Sequence, residues 1–370
     1  MIKITDIKCY VLPHTAPEPR FHWRQGLPGD GDGTPAGETT YTAIVRVDTD
    51  AGITGTAGGG RGPRTADIVR RRLKKEFIGR DALNTELLWQ RMWELDRLEE
   101  FAVHDLGLID IACWDIKSQA YGIPLYQLMG GYDRRVPAYA STVTWDTMEE
   151  YERHIKECAD EGFFAFKLHA TGDAKWDAKL CRNLRKWVGD DADLMFDGSA
   201  GWDYVTSLWF GRVLEEVNFL WYEEPMREFD LPSYAQLSAA LDIPVLAAET
   251  PDGCHWNAAT WIQQRALDMV RTSVGFKGGF TGAIKVAHLA ESFGMRAQVH
   301  GGGWNNAHLC AAIPNNDYYE ELVINTEQIK NLKNNGPLSI VDGYLTVPDE
   351  PGMGYKPDWK EIEQRAVLIV

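Results

Sequence analysis

The chain has 370 residues, with 54 acidic side chains against 38 basic ones, a formal net charge of −16. That balance excludes a general nucleic-acid surface, which needs clustered Lys and Arg, while leaving room for an anionic small molecule in one positive pocket. With 44% hydrophobic and 25% charged residues the composition is that of a soluble globular protein, and no apolar run nears the ~20 residues of a membrane helix.

Nothing at the start resembles a signal peptide. The cysteines Cys9, Cys113, Cys158, Cys181, Cys254 and Cys310 are scattered without a CxxC pair. They read as reduced core thiols, so a cytoplasmic location is expected.

IKITDIKCYVL and TTYTAIVRVDTDAGITG alternate with a period of two and predict antiparallel strands around a DAG turn. Between them, residues 14–37 are rich in Pro and Gly. A connector of this length is either a functional lid or a disordered insertion. His14, Arg20, His22, Trp23 and Arg24 favour the lid. AGGGRGP (57–63) fits neither GxGxxG nor a P-loop and reads as a turn or rim loop. Residues 65–125 carry helical patterning.

From Val136 short apolar runs recur: VPAYAST, FFAFKLH, DLMFDGS, NFLWYEEP, IPVLAAET, DMVRTSV, MRAQVH and YYEELVI. Amphipathic helical segments lie between them, such as 147–161, 203–216 and 280–293. About eight strand–helix units predict a (β/α) barrel. The tail PLSIVDGYLTVPDEPGMGYKPD returns to turns and short strands that pack back on the N-terminal region.

Three of the runs end in an acid at a constant spacing of 26 residues: Asp197, Glu223 and Glu249. At the C-terminal mouth of consecutive barrel strands these carboxylates would repel one another unless a cation joined them. An all-oxygen set at an open site suits Mg²⁺; the alternative is three separate acids, each bridged to its own Lys or Arg. By alternation Glu224 points away from Glu223 and would support the site from behind by holding a basic residue. Lys167 and His169, two apart in FKLHA, face the same side, towards the proposed metal. Desolvation and a nearby cation would lower both pKa values and poise one as a base. His300, at the end of the seventh run, is a catalytic candidate across the barrel; the glycines that follow let a ligand approach. His104, His255 and His308 are set aside as structural or lid residues, and the first run lacks the paired histidines of a zinc hydrolase.

These residues resemble the enolase superfamily in its mandelate racemase-like branch (the mandelate racemase/muconate lactonizing enzyme family), over nearly the whole chain. IDIACWDIKSQAYGIPLYQLMGG resembles that family's link from cap to barrel, GFKGGFTGA its sixth-strand glycine turn, and PDEPGMGY its C-terminal return. The resemblance implies a modified (β/α)7β TIM-type barrel. Residues 1–125 would form an α+β capping domain, 126–335 the barrel and 336–370 the returning segment. It implies Mg²⁺, a carboxylate substrate and removal of the proton α to that carboxylate. Lys167 sits where the family has a lysine contacting the carboxylate, and His169 where many members have a second, basic lysine. Ser199 and Glu320 would face the substrate. Trp304 and the lid residues His14, Arg20 and His22 complete the expected binding set. The family's Asp partner for the seventh-strand histidine falls at Ser273, so His300 would lack a carboxylate and suit proton donation better than basicity.

Racemisation needs two bases, whereas dehydration needs one base and one acid. Dehydration of a sugar acid to a 2-keto-3-deoxy acid is therefore the expected reaction, with His169 or Lys167 as base and His300 or a lid residue assisting the leaving hydroxyl. A racemase, epimerase or cycloisomerase shares the first step and is the alternative, and a catalytically silent metal binder is the reading from another class. The resemblance also implies a homo-oligomer, and neither nucleic acid nor membrane is an expected partner.

Overall fold

A computed structural model describes residues 1–16, 24–25, 34–35, 37–250 and 253–370. The lid residues Arg20, His22 and Trp23 lie outside the described residues. Strands β1 (Ile4–Thr15), β2 (Thr39–Thr49) and β3 (Thr54–Gly60) pair antiparallel in that order. β3 corrects the reading of AGGGRGP as a loop. Its glycines run on in the strand to Gly60, paired with Ala43, and Gly62 opens the helix Gly62–Ile68. A ladder needs only backbone amides and carbonyls, so missing side chains do not end it.

The barrel follows. β4 (Arg135–Thr142), β5 (Ala165–His169), β6 (Asp193–Asp197), β7 (Trp221–Glu223), β8 (Val245–Ala247), β9 (Met269–Thr272) and β10 (Ala297–Val299) pair in parallel, each followed by a helix. β11 (Tyr319–Val323) pairs parallel with β4 and completes the (β/α)7β arrangement. The helices start where the sequence supplies caps. Thr147 and Glu150 form a reciprocal capping box, and Asp173, Asp203 and Asp230 accept first-turn amides. The tail divides: β12 (Ile340–Val341) and β13 (Tyr344–Thr346) form a hairpin on β4, and β14 (Leu368–Ile369) pairs with β1. The six cysteines are free and buried. Among the described residues no helix is long and apolar enough to cross a membrane.

The helix Val103–Tyr121 joins cap and barrel through three buried aspartates. Asp105 accepts from Thr65 and pairs with Arg64 at 2.6 Å; Asp115 accepts from the amides of Thr56 and Met353, both at 3.1 Å. Asp110 accepts from the amide and hydroxyl of Thr281, at 2.9 and 2.6 Å, in the first turn of the barrel helix Phe280–Ser292. A side chain at Gly107 would come within 2.8 Å of the Gly278 backbone, so this crossing requires glycine.

Burial pushes the Asp110 carboxyl up to about 7, against the pull of its Thr281 donors. A carboxyl with a raised native pKa adds stability that is complete below its unfolded value and lost as pH rises through the native one. Between about pH 4 and about pH 7 the slope is roughly 1.4 kcal/mol per pH unit. The thermal midpoint of the wild type should therefore fall across that window by an amount that Asp110→Asn does not share.

Candidate active site

The lower barrel interior is filled by Tyr139, Ala165, Met195, Trp221, Leu246 and Tyr318. Above this apolar plug the interior turns charged. Lys167 on β5 is fully buried, and its Nζ lies 3.1 Å from Glu223 Oε2, 2.8 Å from Glu320 Oε1 and 3.8 Å from Asp197 Oδ2. Burial opposes its charge, but Glu223 and Glu320 outweigh it and hold the ammonium well above the usual lysine range. The expected lowering by burial is present, but the two carboxylates in contact oppose it. Its ammonium is thus paired with the acids of the site.

Arg271 went unnoticed in the sequence. It projects inward from β9, fully buried, and its Nε and Nη2 lie 2.5 and 3.0 Å from the two oxygens of Glu223. Nη2 also reaches the Tyr139 hydroxyl at 3.0 Å and Glu320 at 3.4 Å, while Nη1 donates to the Val299 carbonyl at 2.9 Å. The signal was present: an arginine inside an apolar strand run is as costly as the lysine in FKLHA.

The acids crowd the rim. Asp197 and Glu223 are direct neighbours across the β6–β7 ladder. One donor atom each from Glu223, Glu249 and His300 lies within 4.8 Å of the others. Asp197 stands beside this group, 3.3 Å from His169 Nε2, and accepts the Ser199 amide at 2.7 Å. Burial raises the Glu223 carboxyl, against the pull of Arg271 and Lys167. Burial, then Glu249 and Asp197, hold the Glu224 carboxyl well above the usual range.

Among the described residues Glu224 does not grip a basic residue; its Oε1 accepts the Glu249 amide at 3.0 Å. The strand ends at Glu223, and Glu224 adopts a left-handed φ of 37°, so simple alternation no longer sets its direction.

The two imidazoles differ. His169 is buried, and its Nδ1 lies 2.6 Å from the Thr142 carbonyl, an acceptor only. Nδ1 therefore carries hydrogen, and Nε2 faces the mouth, 3.3 Å from Asp197 Oδ2. His300 is 31% exposed, with Nδ1 2.9 Å from Glu249 Oε2 and 3.6 Å from Glu320 Oε2. Burial would lower its pKa, but Glu249 outweighs that and raises it. His300 is thus not without a carboxylate: the acid comes from the loop after β8 rather than from β9. Ser273 is turned elsewhere, its hydroxyl accepting the Phe276 amide at 3.1 Å.

Of the expected substrate residues, Glu320 is buried, accepting from Ser141 and from the Gly301 amide at 2.8 and 2.7 Å. Ser199 has a left-handed φ of 47°, and its carbonyl accepts from Arg24 at 2.7 Å. Trp304 lies against Tyr355 and lines a cavity of about 180 Å³ between cap and mouth, together with His104, Gly59 and Gly302. His14 is exposed near the end of β1, paired with Thr40.

Glu223, Glu249 and His300 bring ligand atoms within 4.8 Å of one another, with the Asp197 carboxylate on the neighbouring strand, so the residues fit a hard metal ion.

Comparison with known proteins agrees with this fold. Residues 25–130 match the family described as mandelate racemase / muconate lactonizing enzyme, N-terminal domain, and residues 150–361 match that described as enolase C-terminal domain-like. The arabinonate dehydratase of Saccharolobus solfataricus is 27% identical over 78% of this chain and 79% of its own length. The D-galactarolactone cycloisomerase of Agrobacterium fabrum is 29% identical over 95% of this chain and 96% of its own. The crystal structure of D-glucarate dehydratase from Agrobacterium tumefaciens, complexed with magnesium, superposes with a TM-score of 0.87 at 33% identity, covering 99% of both chains.

Proposed function

The chain belongs to the mandelate racemase/muconate lactonizing enzyme family of the enolase superfamily, and from that premise we propose that it is a Mg²⁺-dependent hydro-lyase acting on a sugar acid. It removes the proton α to the carboxylate and expels the β-hydroxyl as water, and the resulting enol becomes a 2-keto-3-deoxy acid. The sugar-acid dehydratases among its relatives, one of them complexed with magnesium, support this assignment.

Asp197, Glu223 and Glu249 would hold the ion, three oxygen donors of the kind Mg²⁺ prefers. When bound, it supplies positive charge beside the substrate carboxylate and so acidifies the α-proton. Lys167 adds a second, fixed positive charge from beneath. Glu320, held by Ser141 and Gly301, borders the same end of the site. His169 takes the α-proton on Nε2, since the Thr142 carbonyl keeps the other nitrogen occupied. His300, beside Glu249, gives a proton to the departing hydroxyl. The cavity between cap and mouth accommodates the rest of the polyol chain.

The asymmetry of the two imidazoles carries the choice of dehydration. Both face a carboxylate, but His169 is buried with its other nitrogen on the Thr142 carbonyl, while His300 is 31% exposed between Glu249 and Glu320; racemisation needs two equivalent bases. The likeness to a cycloisomerase over 95% of the chain keeps ring-opening isomerisation as the second reading. A panel of sugar acids incubated with Mg²⁺ separates them. A dehydratase yields a semicarbazide-reactive keto acid with loss of water; an epimerase exchanges the α-proton in D₂O without a keto acid; a cycloisomerase changes the ring at constant mass. No reaction or exchange with any acid, despite metal binding, would sink the proposal. The six free thiols support a reducing cytoplasm, and the family resemblance supports a homo-oligomer, which light scattering would test.

A further inference from the structure

Lys167, Glu223, Arg271 and Glu320 close a ring of alternating charge. Around it, the Lys167–Glu223 contact is 3.1 Å, Glu223–Arg271 2.5 Å, Arg271–Glu320 3.4 Å and Glu320–Lys167 2.8 Å. The four side chains come from β5, β7, β9 and β11, the alternate strands by which a (β/α) barrel fills one interior layer. None is more than 5% exposed. Buried ion pairs add little net stability over apolar packing of the same volume, and the layer below is apolar. A charged layer at this level therefore needs a reason other than stability.

The reason lies in the fork of Arg271. Two of its nitrogens grip both oxygens of Glu223, and the guanidinium is itself held by the Val299 carbonyl and the Tyr139 hydroxyl. A planar, doubly anchored fork restricts a carboxylate in rotation as well as in place. Lys167 and Trp221 share Oε2, at 3.1 and 3.4 Å, so Oε1 keeps the lone pair with no other protein donor among the described residues. We infer that Arg271 is a positioning residue that fixes the rotamer of Glu223 and aims this Oε1 lone pair at the metal position. The inference rests on Glu223 being a metal ligand.

The test is Mn²⁺ and Mg²⁺ titration of the metal-stripped protein by calorimetry, alongside its thermal midpoint. Arg271→Lys retains the charge but makes single contacts. It should fold with a midpoint near wild type yet bind either ion about 10–100-fold more weakly, the usual loss when a ligand's supporting contact goes. Arg271→Met, which leaves Glu223 and Glu320 short of a counter-charge, should lower both quantities. If the lysine variant binds within about twofold of wild type, charge alone suffices and the orienting role falls. If it fails to fold, the ring is a structural layer and the role falls equally. A wild-type protein that binds no divalent ion would instead remove Glu223 as a ligand, and this inference with it.

Discussion

Glu223→Gln will lose divalent-ion binding and turnover together, and will also unfold at a lower temperature than wild type. The glutamine keeps the shape of the side chain but turns one oxygen into an NH₂ group. That group would face either Arg271 or Lys167, both donors only, so the buried ring would carry two cations against one remaining carboxylate, Glu320. Removing one partner of a buried pair costs about 3–5 kcal/mol, because the other charge stays behind uncompensated. The loss of metal affinity should exceed the roughly 10–100-fold penalty typical of a merely supporting contact. Glu224→Gln is the informative contrast. Its carboxyl is already driven towards the neutral form by burial and by Glu249 and Asp197, and the amide oxygen can still accept the Glu249 amide. It should weaken the ion less and leave the midpoint near wild type. Equal losses in the two variants would mean that both carboxylates hold the ion.

Much of this architecture was readable from the chain because barrel strands are short apolar runs with a fixed rhythm. DLMFDGS and NFLWYEEP place Asp197 and Glu223 at strand ends, and the ladder sets them side by side. Alternation put Lys167 and His169 on one face, and both reach Asp197. What escaped was long-range or fell where periodicity stops. The Glu249–His300 contact joins residues from different loops and leaves no local pattern. Arg271, two positions before Ser273, was legible in principle, because an arginine in a four-residue strand demands a carboxylate as firmly as Lys167 does. Glu224 defeated the alternation rule because its backbone had already left the strand. Of the three aspartates of the Val103–Tyr121 helix, Asp110 and Asp115 sit on a motif noted only for its likeness and Asp105 just before it; each ties down a different segment, which explains the acids but could not be foreseen without the partners.

His169→Asn is expected to stop α-proton exchange, by about 10²–10⁴-fold, while the protein still binds its ion. The asparagine amide can donate to the Thr142 carbonyl as Nδ1 does, so β4 and β5 stay joined at this point and stability changes little. What disappears is Nε2, the nitrogen that lies 3.3 Å from Asp197 at the mouth. Normal exchange in this variant would move the base to Lys167 or His300. The measurement is deuterium wash-in at the α-position of a turned-over sugar acid in D₂O, beside a metal titration of the same variant. His300→Asn should behave differently: the α-proton still exchanges, but elimination slows because the departing hydroxyl lacks its donor. If the phenotypes are reversed, the base sits on the His300 wall and the two imidazoles exchange roles. If both variants abolish exchange equally, the histidines act as a matched pair, and the geometry then favours racemisation over loss of water.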